Sequence, residues 1–275
     1  EGYANLGNIL KELGKFKEAE LAQRKAIEIK PDFAKAFSNL ATIMKDIDKL
    51  EEAELYAKRA IELKPNCKEA HNILGNLMTN SNQPEVAKIY FLKAIRIDPN
   101  YVEAYVNLGK LLIQTGDLFE AKEKLLKALS IRDDIPEAYI NLGEVLNIED
   151  KPEQAKEATL KAIELQNDNA DAHSNLSHLL LKEKQFVKGW EEYEWRWKSK
   201  STKFNLGEKL TTNQPEWSPD QRGRVLLWPE QGLGDQLMFA SLIPDFIDYV
   251  DQLIIKIDPR LIPLLQRTLP ENIKY

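Results

Sequence analysis

Large apolar and small side chains recur along most of the chain with a period of 34 residues. One position of the period holds leucine in every copy, and the position after it holds a small residue. The leucines are Leu6, Leu40, Leu74, Leu108, Leu142 and Leu176. The small residues are Gly7, Ala41, Gly75, Gly109, Gly143 and Ser177. A fixed period of this length predicts that the chain repeats one structural unit.

Two more small positions follow in each copy, and together they predict closely packed helices. The first holds Ala19, Ala53, Ala87, Ala121, Ala155 and Gly189. The second holds Ala26, Ala60, Ala94, Ala128 and Ala162. Small side chains at helix crossings let two backbones approach, and the leucines fill the space between them. Pro31, Pro65 and Pro99 end the first three copies, because proline does not continue a helix.

These residues resemble the tetratricopeptide repeat (TPR), in which each copy is an antiparallel pair of helices. The resemblance covers residues 1 to 196 and implies an all-α superhelix of about six helix-turn-helix repeats. TPR arrays stack into a right-handed solenoid whose concave face is lined by the first helices. The resemblance therefore implies a groove that binds a protein or an extended peptide. Glu1 already lies inside the first predicted helix with no polar capping unit before it, so we expect a longer parent protein.

The position before each leucine of the period is the candidate peptide-binding row. It holds Asn5, Asn39, Ile73, Asn107, Asn141 and Asn175. Each asparagine amide offers a donor and an acceptor, which match a peptide backbone unit. In this respect the array resembles the asparagine-lined superhelix of O-linked N-acetylglucosamine transferases, although Ile73 interrupts the row. The alternative is that these amides satisfy a neighbouring hairpin or water.

A second kind of TPR groove, the carboxylate clamp, needs Lys or Arg at the inner positions. The adjoining series holds no cation. It reads Ala4, Ser38, Asn72, Val106, Ile140 and Ser174. The sequence therefore disfavours a clamp for chain termini.

Composition excludes several other classes of function. The net charge of −6 and the interleaved acidic and basic residues argue against a nucleic-acid surface. No long apolar run predicts a membrane segment. The lone Cys67 fits a reduced compartment, so we expect a cytoplasmic protein without a metal site. His173 and His178 lie five residues apart on one helix, a poor spacing for binding one metal ion.

A change in composition marks the end of the repeats. All five tryptophans fall between residues 190 and 228, and Arg196 stands where earlier copies have alanine. We expect the aromatic residues to seal the end of the solenoid. The predicted domains are a TPR solenoid at 1–197, a linker at 198–223 and a partial α/β segment at 224–275.

The last segment predicts the β-α-β-α start of a doubly wound, Rossmann-like sheet. Strands are expected at 225–228 and 253–257, with helices from 236 to 249 and from about 259. Gly232 and Gly234 do not complete a dinucleotide fingerprint, because Leu237 occupies the third glycine position.

The turn from Glu230 to Asp235 resembles the acceptor-side domain of heptosyltransferase-like (GT-B) glycosyltransferases. The resemblance implies a catalytic role for Asp235 near an acceptor hydroxyl, with Pro244 as the following proline. Gly232 and Gly234 would then form a loop that sugar or phosphate approaches. The alternative is that Asp235 caps the helix that follows.

The sequence therefore predicts a peptide-binding TPR scaffold that forms the targeting part of a glycosyltransferase-like protein. The alternative is a stand-alone interaction adaptor. Two strands do not enclose a nucleotide-sugar donor, so we expect no glycosyl transfer by this chain alone and a donor only in a longer parent. The incomplete sheet also has open edges, through which we expect self-association.

Overall fold

The computed structural model describes residues 1–199, 211–218, 220–230, 232–271 and 273–275. They form two compact units, Glu1–Gly189 and Trp190–Tyr275. The predicted boundary after residue 197 falls inside the second unit. The predicted linker at 198–223 lies partly outside the described residues, so its extent stays a prediction.

The described residues of the first unit form six helical hairpins, as the 34-residue period predicts. The first helices are α1 (Gly2–Glu12), α3 (Ala34–Asp46), α5 (Lys68–Asn80), α7 (Val102–Thr115), α9 (Pro136–Ile148) and α11 (Ala170–Lys182). The second helices are α2 (Phe16–Ile29), α4 (Leu50–Leu63), α6 (Pro84–Ile97), α8 (Leu118–Ile131), α10 (Pro152–Leu165) and α12 (Phe186–Tyr193). The last helix, α12, continues past Gly189 into the second unit.

The turn inside every hairpin uses one left-handed residue at the same position of the period. These residues are Gly14, Asp48, Asn82, Gly116, Asp150 and Lys184, with φ between 55° and 85°. The next residue donates its N–H back to a carbonyl in the last turn of the first helix, as Lys15 does to Leu10 at 2.9 Å. This bond satisfies a carbonyl that the helix end leaves open.

Packing between the two helices of a hairpin explains the small residues of the period. A Cβ added to Gly75 would lie 2.5 Å from Cε1 of Phe91, and one added to Gly109 would lie 2.7 Å from Cγ of Leu125. Ala87 and Ala121 are fully buried in the same two hairpins. The predicted role of these residues in close helix packing is confirmed.

Packing between hairpins places the first helices on the inner side of the array. Neighbouring first helices contact one another directly, from α1 against α3 to α9 against α11. The second helices contact mainly the first helices beside them. Elements that lie closer together occupy the inside of a curved stack, so the first helices line the inner surface of a TPR-like superhelix.

The second unit is built around a two-stranded parallel sheet. Its elements after α12 are a 3₁₀ helix (Glu194–Trp197), β1 (Arg224–Leu227), α13 (Leu233–Ala240), α14 (Ile243–Ile247), β2 (Gln252–Ile255), a 3₁₀ turn (Pro259–Leu261) and α15 (Ile262–Thr268). The strands pair in register from Arg224 with Gln252 to Leu227 with Ile255. Lys274 adds a parallel bridge to Ile254 on the other edge of β2.

The second unit departs from the sequence prediction in its helices. The single helix expected at 236–249 is two helices, because α13 ends at Ala240 and α14 begins at Ile243 with Pro244 in its first turn. Proline fits this position, since a first-turn N–H has no partner within its helix. The parallel pair agrees with the expected order of strands, and a Rossmann-like sheet stays a prediction. Within the described residues, no helix is both long and apolar enough to cross a bilayer.

Candidate functional site

The predicted asparagine row lies along the first helices, on the inner side of the array. Its members differ in exposure. Asn5 is exposed, Asn39, Asn107 and Asn175 are half-buried, and Asn141 is buried. Ile73, which interrupts the row, belongs to the apolar core at 4% exposure. The row thus follows equivalent positions on successive first helices, but its asparagine amides differ in how much surface they expose.

Two amides of the row bond to the preceding repeat. Asn107 donates from Nδ2 to Oδ1 of Asn72 at 3.0 Å, and Asn175 donates to the carbonyl of Ile140 at 3.3 Å. Both partners lie 35 residues earlier, on the neighbouring first helix. Nδ2 of Asn39 is buried without a hydrogen-bond partner among the described residues. Two asparagines of the row therefore join neighbouring hairpins, as the alternative interpretation expects, and Asn39 has one unused donor among the described residues.

A second row accompanies the first, three residues further along each helix, and the sequence analysis missed it. It holds Asn8, Thr42, Asn76, Lys110, Glu144 and His178. The surrounding helices raise the pKa of Glu144 by desolvation, against the opposing charge of Lys110, although the side chain is exposed to water. Desolvation disfavours the charged form of a carboxylate, which is the direction of this shift. The sequence signal that could have revealed this row is the same period of 34 residues, one helical turn after the asparagines.

Two of the three histidines contact the turns that precede their helices. His71 and His173 occupy equivalent positions on α5 and α11, and both are buried. Their Nε2 atoms lie 3.0 Å from the carbonyls of Pro65 and Asn167, in the turns before these helices. Burial lowers the pKa of His71. The two rings thus secure the turns between repeats.

The second unit contains a cavity of 370 Å³ at the carboxyl ends of its two strands. Leu227 and Trp228 border it after β1, and Ile255 to Ile257 border it at the end of β2. Trp190, Tyr193 and Phe239 add aromatic walls, and Asp235 and Gln236 add polar groups. In parallel sheets this edge is where ligands bind. The cavity therefore has the position and the mixed lining of a small-molecule site.

Asp235 lies in the first turn of α13, and the residue that caps this helix is Gly232. The alternative in which Asp235 caps the helix is therefore wrong, although its charge still lies near the helix N-terminus, where it is stabilised. Gly232 and Gly234 have negative φ, and a Cβ on either would meet no described atom within 4 Å. The local fold does not require glycine at these positions, so close approach of a ligand stays a prediction.

Arg196 joins two sides of this cavity. Its guanidinium donates to both carboxylate oxygens of Glu230, with the shortest distance 2.8 Å, and also to Glu194 at 2.8 Å. The rings of Tyr193 and Trp197 lie within 5 Å of the same group. The side chain is 8% exposed. This ion pair holds the chain after β1 beside the aromatic segment 190–197. The sequence showed only that Arg196 stands at a repeat position where earlier copies have alanine, and it did not show this role.

Family models of the tetratricopeptide repeat match residues 1–33, 34–67, 68–101 and 136–169, and a further one matches residues 90–123. Protein FlbA of Caulobacter vibrioides is 35% identical over 98 residues. This match covers 34% of the chain and 16% of the length of FlbA. The repeat family is thus matched over most of the first unit, and the curated relative is matched over a small part of its length.

Several solved structures share the fold of the repeats. PilF of Pseudomonas aeruginosa superposes with a TM-score of 0.59 at 21% identity, covering 70% of this chain and 87% of that chain. The type IV pilus biogenesis factor PilW gives 0.61 at 19% identity, covering 74% and 96%. The APC/C hetero-tetramer Cut9–Hcn1 gives 0.66 at 16% identity, covering 70% and 38%. At such identities the likeness concerns the fold alone.

Proposed function

We propose that this chain, which belongs to the tetratricopeptide-repeat family, holds an extended segment of another polypeptide along the inner row of its first helices. As a TPR array it is a scaffold for protein interaction. The finer proposal is that the backbone of the bound segment pairs with the asparagine amides.

Two features support this mode of binding. Nδ2 of Asn39 has no partner among the described residues, so a rotation of this half-buried side chain offers the donor to a peptide without breaking a hydrogen bond. Asn107 and Asn175 already bond between repeats, but each retains its amide oxygen as an acceptor for a peptide N–H. Amide contacts to a peptide backbone are independent of its side chains, so we expect broad sequence tolerance.

The experiment compares Asn107→Ala with Asn141→Ala, alone and together, against wild type. The probe is a linear peptide selected from a random library on the wild-type chain, and fluorescence anisotropy measures its affinity. We expect the double variant to lose about tenfold or more in affinity, since each lost hydrogen bond contributes about 1 kcal/mol.

The matched control is Asn100→Ala, in the exposed turn between α6 and α7. It removes an asparagine amide without touching the inner row, and we expect unchanged affinity. Equal affinity of the wild type and the double variant would overturn the proposal.

We further propose that the array is the targeting part of a glycosyltransferase-like protein, with the stand-alone adaptor as the alternative. Support comes from the cavity at the carboxyl ends of β1 and β2, which has Asp235 in its wall. A carboxylate at this edge is placed to accept a proton from an acceptor hydroxyl. The nucleotide-sugar donor belongs in a longer parent protein.

Saturation-transfer NMR with a panel of neutral monosaccharides tests this second proposal. We expect sugar signals from the wild type and their loss in Trp190→Ala, which removes an aromatic wall of the cavity. Sugar-nucleotide hydrolysis by the chain alone is expected to be absent. No sugar signal from the wild type would favour the stand-alone adaptor.

Self-association through the second unit is a further proposal. β1 pairs with β2 on one side only among the described residues, and Leu226 on this strand is 39% exposed. An open strand edge is a template for a second copy. Sedimentation velocity is expected to show a dimer that Leu226→Lys disperses, and a wild-type monomer at high concentration would contradict this.

A further inference from the structure

The outer side of the array contains aromatic pairs that cover the first helices. In the second and third repeats, Phe37 packs on Tyr56 with centroids 6.3 Å apart, and His71 packs on Tyr90 at 6.0 Å. In each pair, one ring comes from the first helix and the other from the second helix of the same hairpin. These rings fill the space on the outer side of the repeat.

The fifth repeat lacks the covering ring. Tyr139 occupies the position of Phe37 and His71, and Ala158 occupies the position of Tyr56 and Tyr90. Among the described residues, no ring packs on Tyr139. Alanine thus leaves open the volume that a tyrosine fills in two other repeats of the same chain.

A recess of 1230 Å³ lies at this place, between α8 and α10 with α9 beneath it. We call it the α8–α10 recess. Its floor is apolar, and its flanking leucines, Leu126 and Leu160, are 50% and 47% exposed. Exposed leucines on both sides of an open tyrosine form a surface suited to a large apolar side chain.

The recess lysines are already neutralised. Lys122 pairs with Glu149 at 2.8 Å, Lys156 with Glu183 at 2.6 Å, and Lys161 with Glu164 at 2.9 Å.

Two carboxylates on the rim have no ion-pair partner among the described residues. Glu153 and Glu157 line the recess from α10, and no cation of residues 1–199 forms an ion pair with either of them. The uncompensated charge of the rim is therefore negative, and it complements a basic partner.

We propose that the α8–α10 recess docks an aromatic side chain from a partner protein segment that carries Lys or Arg beside that residue. The aromatic ring takes the place that Tyr56 and Tyr90 occupy in their own repeats. The basic neighbours meet Glu153 and Glu157. This surface lies on the second helices and is separate from the inner asparagine row.

Ala158→Tyr tests the proposal by filling the recess from within. The variant is expected to fold, because the same position holds tyrosine at 56 and 90 in this chain. The probes are three short synthetic peptides: one with Trp flanked by Lys, one with Trp flanked by Glu, and one with Ala flanked by Lys. We expect only the first to bind the wild type, and Ala158→Tyr to weaken it about tenfold or more, the effect of losing an anchor.

A second variant tests the charge without changing the floor. Glu153→Lys with Glu157→Lys is expected to weaken the Lys-flanked Trp peptide and to reduce the salt dependence of its binding. The matched controls are Ala22→Tyr, at the position of Ala158 in the first repeat, and Glu85→Lys, at the position of Glu153 in the third repeat. Both should bind as the wild type does.

Three results would overturn the proposal. They are equal binding of the Lys-flanked and Glu-flanked Trp peptides, full affinity in a folded Ala158→Tyr, and equal losses in the controls. Asn107→Ala with Asn141→Ala should leave binding of the Lys-flanked Trp peptide unchanged. The proposals for the recess and for the inner row are therefore tested independently.

Discussion

Gly75 lies against the ring of Phe91, so closely that a Cβ on Gly75 would meet Cε1 at 2.5 Å. The equivalent positions in the second repeat are Ala41 and Ala57, both fully buried. The chain therefore pairs glycine with a large residue in one repeat and alanine with alanine in another. Size is matched across the hairpin within each repeat.

Gly75→Ala is expected to destabilise the first unit by about 1–3 kcal/mol, because the added methyl group overpacks the crossing. In a Phe91→Ala background the same change should be neutral or stabilising, since space is then free and alanine favours helix by about 1 kcal/mol over glycine. Chemical denaturation followed by far-UV circular dichroism measures both. Gly2→Ala, which has open space, is the control. Equal effects in the two backgrounds would contradict the size matching.

Lys184 is the residue least suited to its backbone among the turn positions. Its φ of 61° places a long side chain in the left-handed region, where glycine is preferred. Lys184→Gly should raise the free energy of unfolding by about 0.5–1 kcal/mol. Asp48→Gly, at the same position, should gain less, because Asp tolerates this conformation better. A loss of stability in Lys184→Gly would show that the strain is absent.

The pair of Arg196 and Glu230 offers a test of the second unit alone. All five tryptophans lie at residues 190–228, so their fluorescence reports only this unit. Arg196→Met should destabilise it by about 2 kcal/mol, less than a fully buried pair, because Glu230 is 30% exposed. Adding Glu230→Met should recover most of the loss, since the one carboxylate then left unpaired, that of Glu194, is 61% exposed. A double variant as unstable as the single one would contradict this.

The repeat architecture followed from the sequence because each copy repeats the same size pattern. The hairpins after residue 132 form although Asp133 and Asn167 replace the prolines, since the extended residues Arg132 and Gln166 end those helices. The α8–α10 recess was not predicted. It lies where Ala158 replaces the tyrosines of the second and third repeats. Alanine at this helix position does not by itself predict a cavity, because Ala22 occupies it in the first repeat.

The second unit was less predictable because its elements are short and occur once. The strands fell within one or two residues of their predicted bounds. The prediction of a single helix at 236–249 was wrong. Pro244 lies in the first turn of a second helix, and the sequence alone did not show that a new helix begins there. Arg196 and Glu230 form an ion pair across 34 residues of sequence, and local sequence patterns do not predict contacts at that separation.

The central claim, that a peptide lies along the inner asparagine row, is tested most directly by paramagnetic NMR. A spin label is placed on a linear peptide selected on the wild type, and the side-chain amide signals of the asparagines are recorded. We expect broadening first at Asn39, Asn107 and Asn141, with the exposed Asn66 and Asn100 unaffected. Broadening confined to α8 and α10, with the inner amides unchanged, would contradict the account.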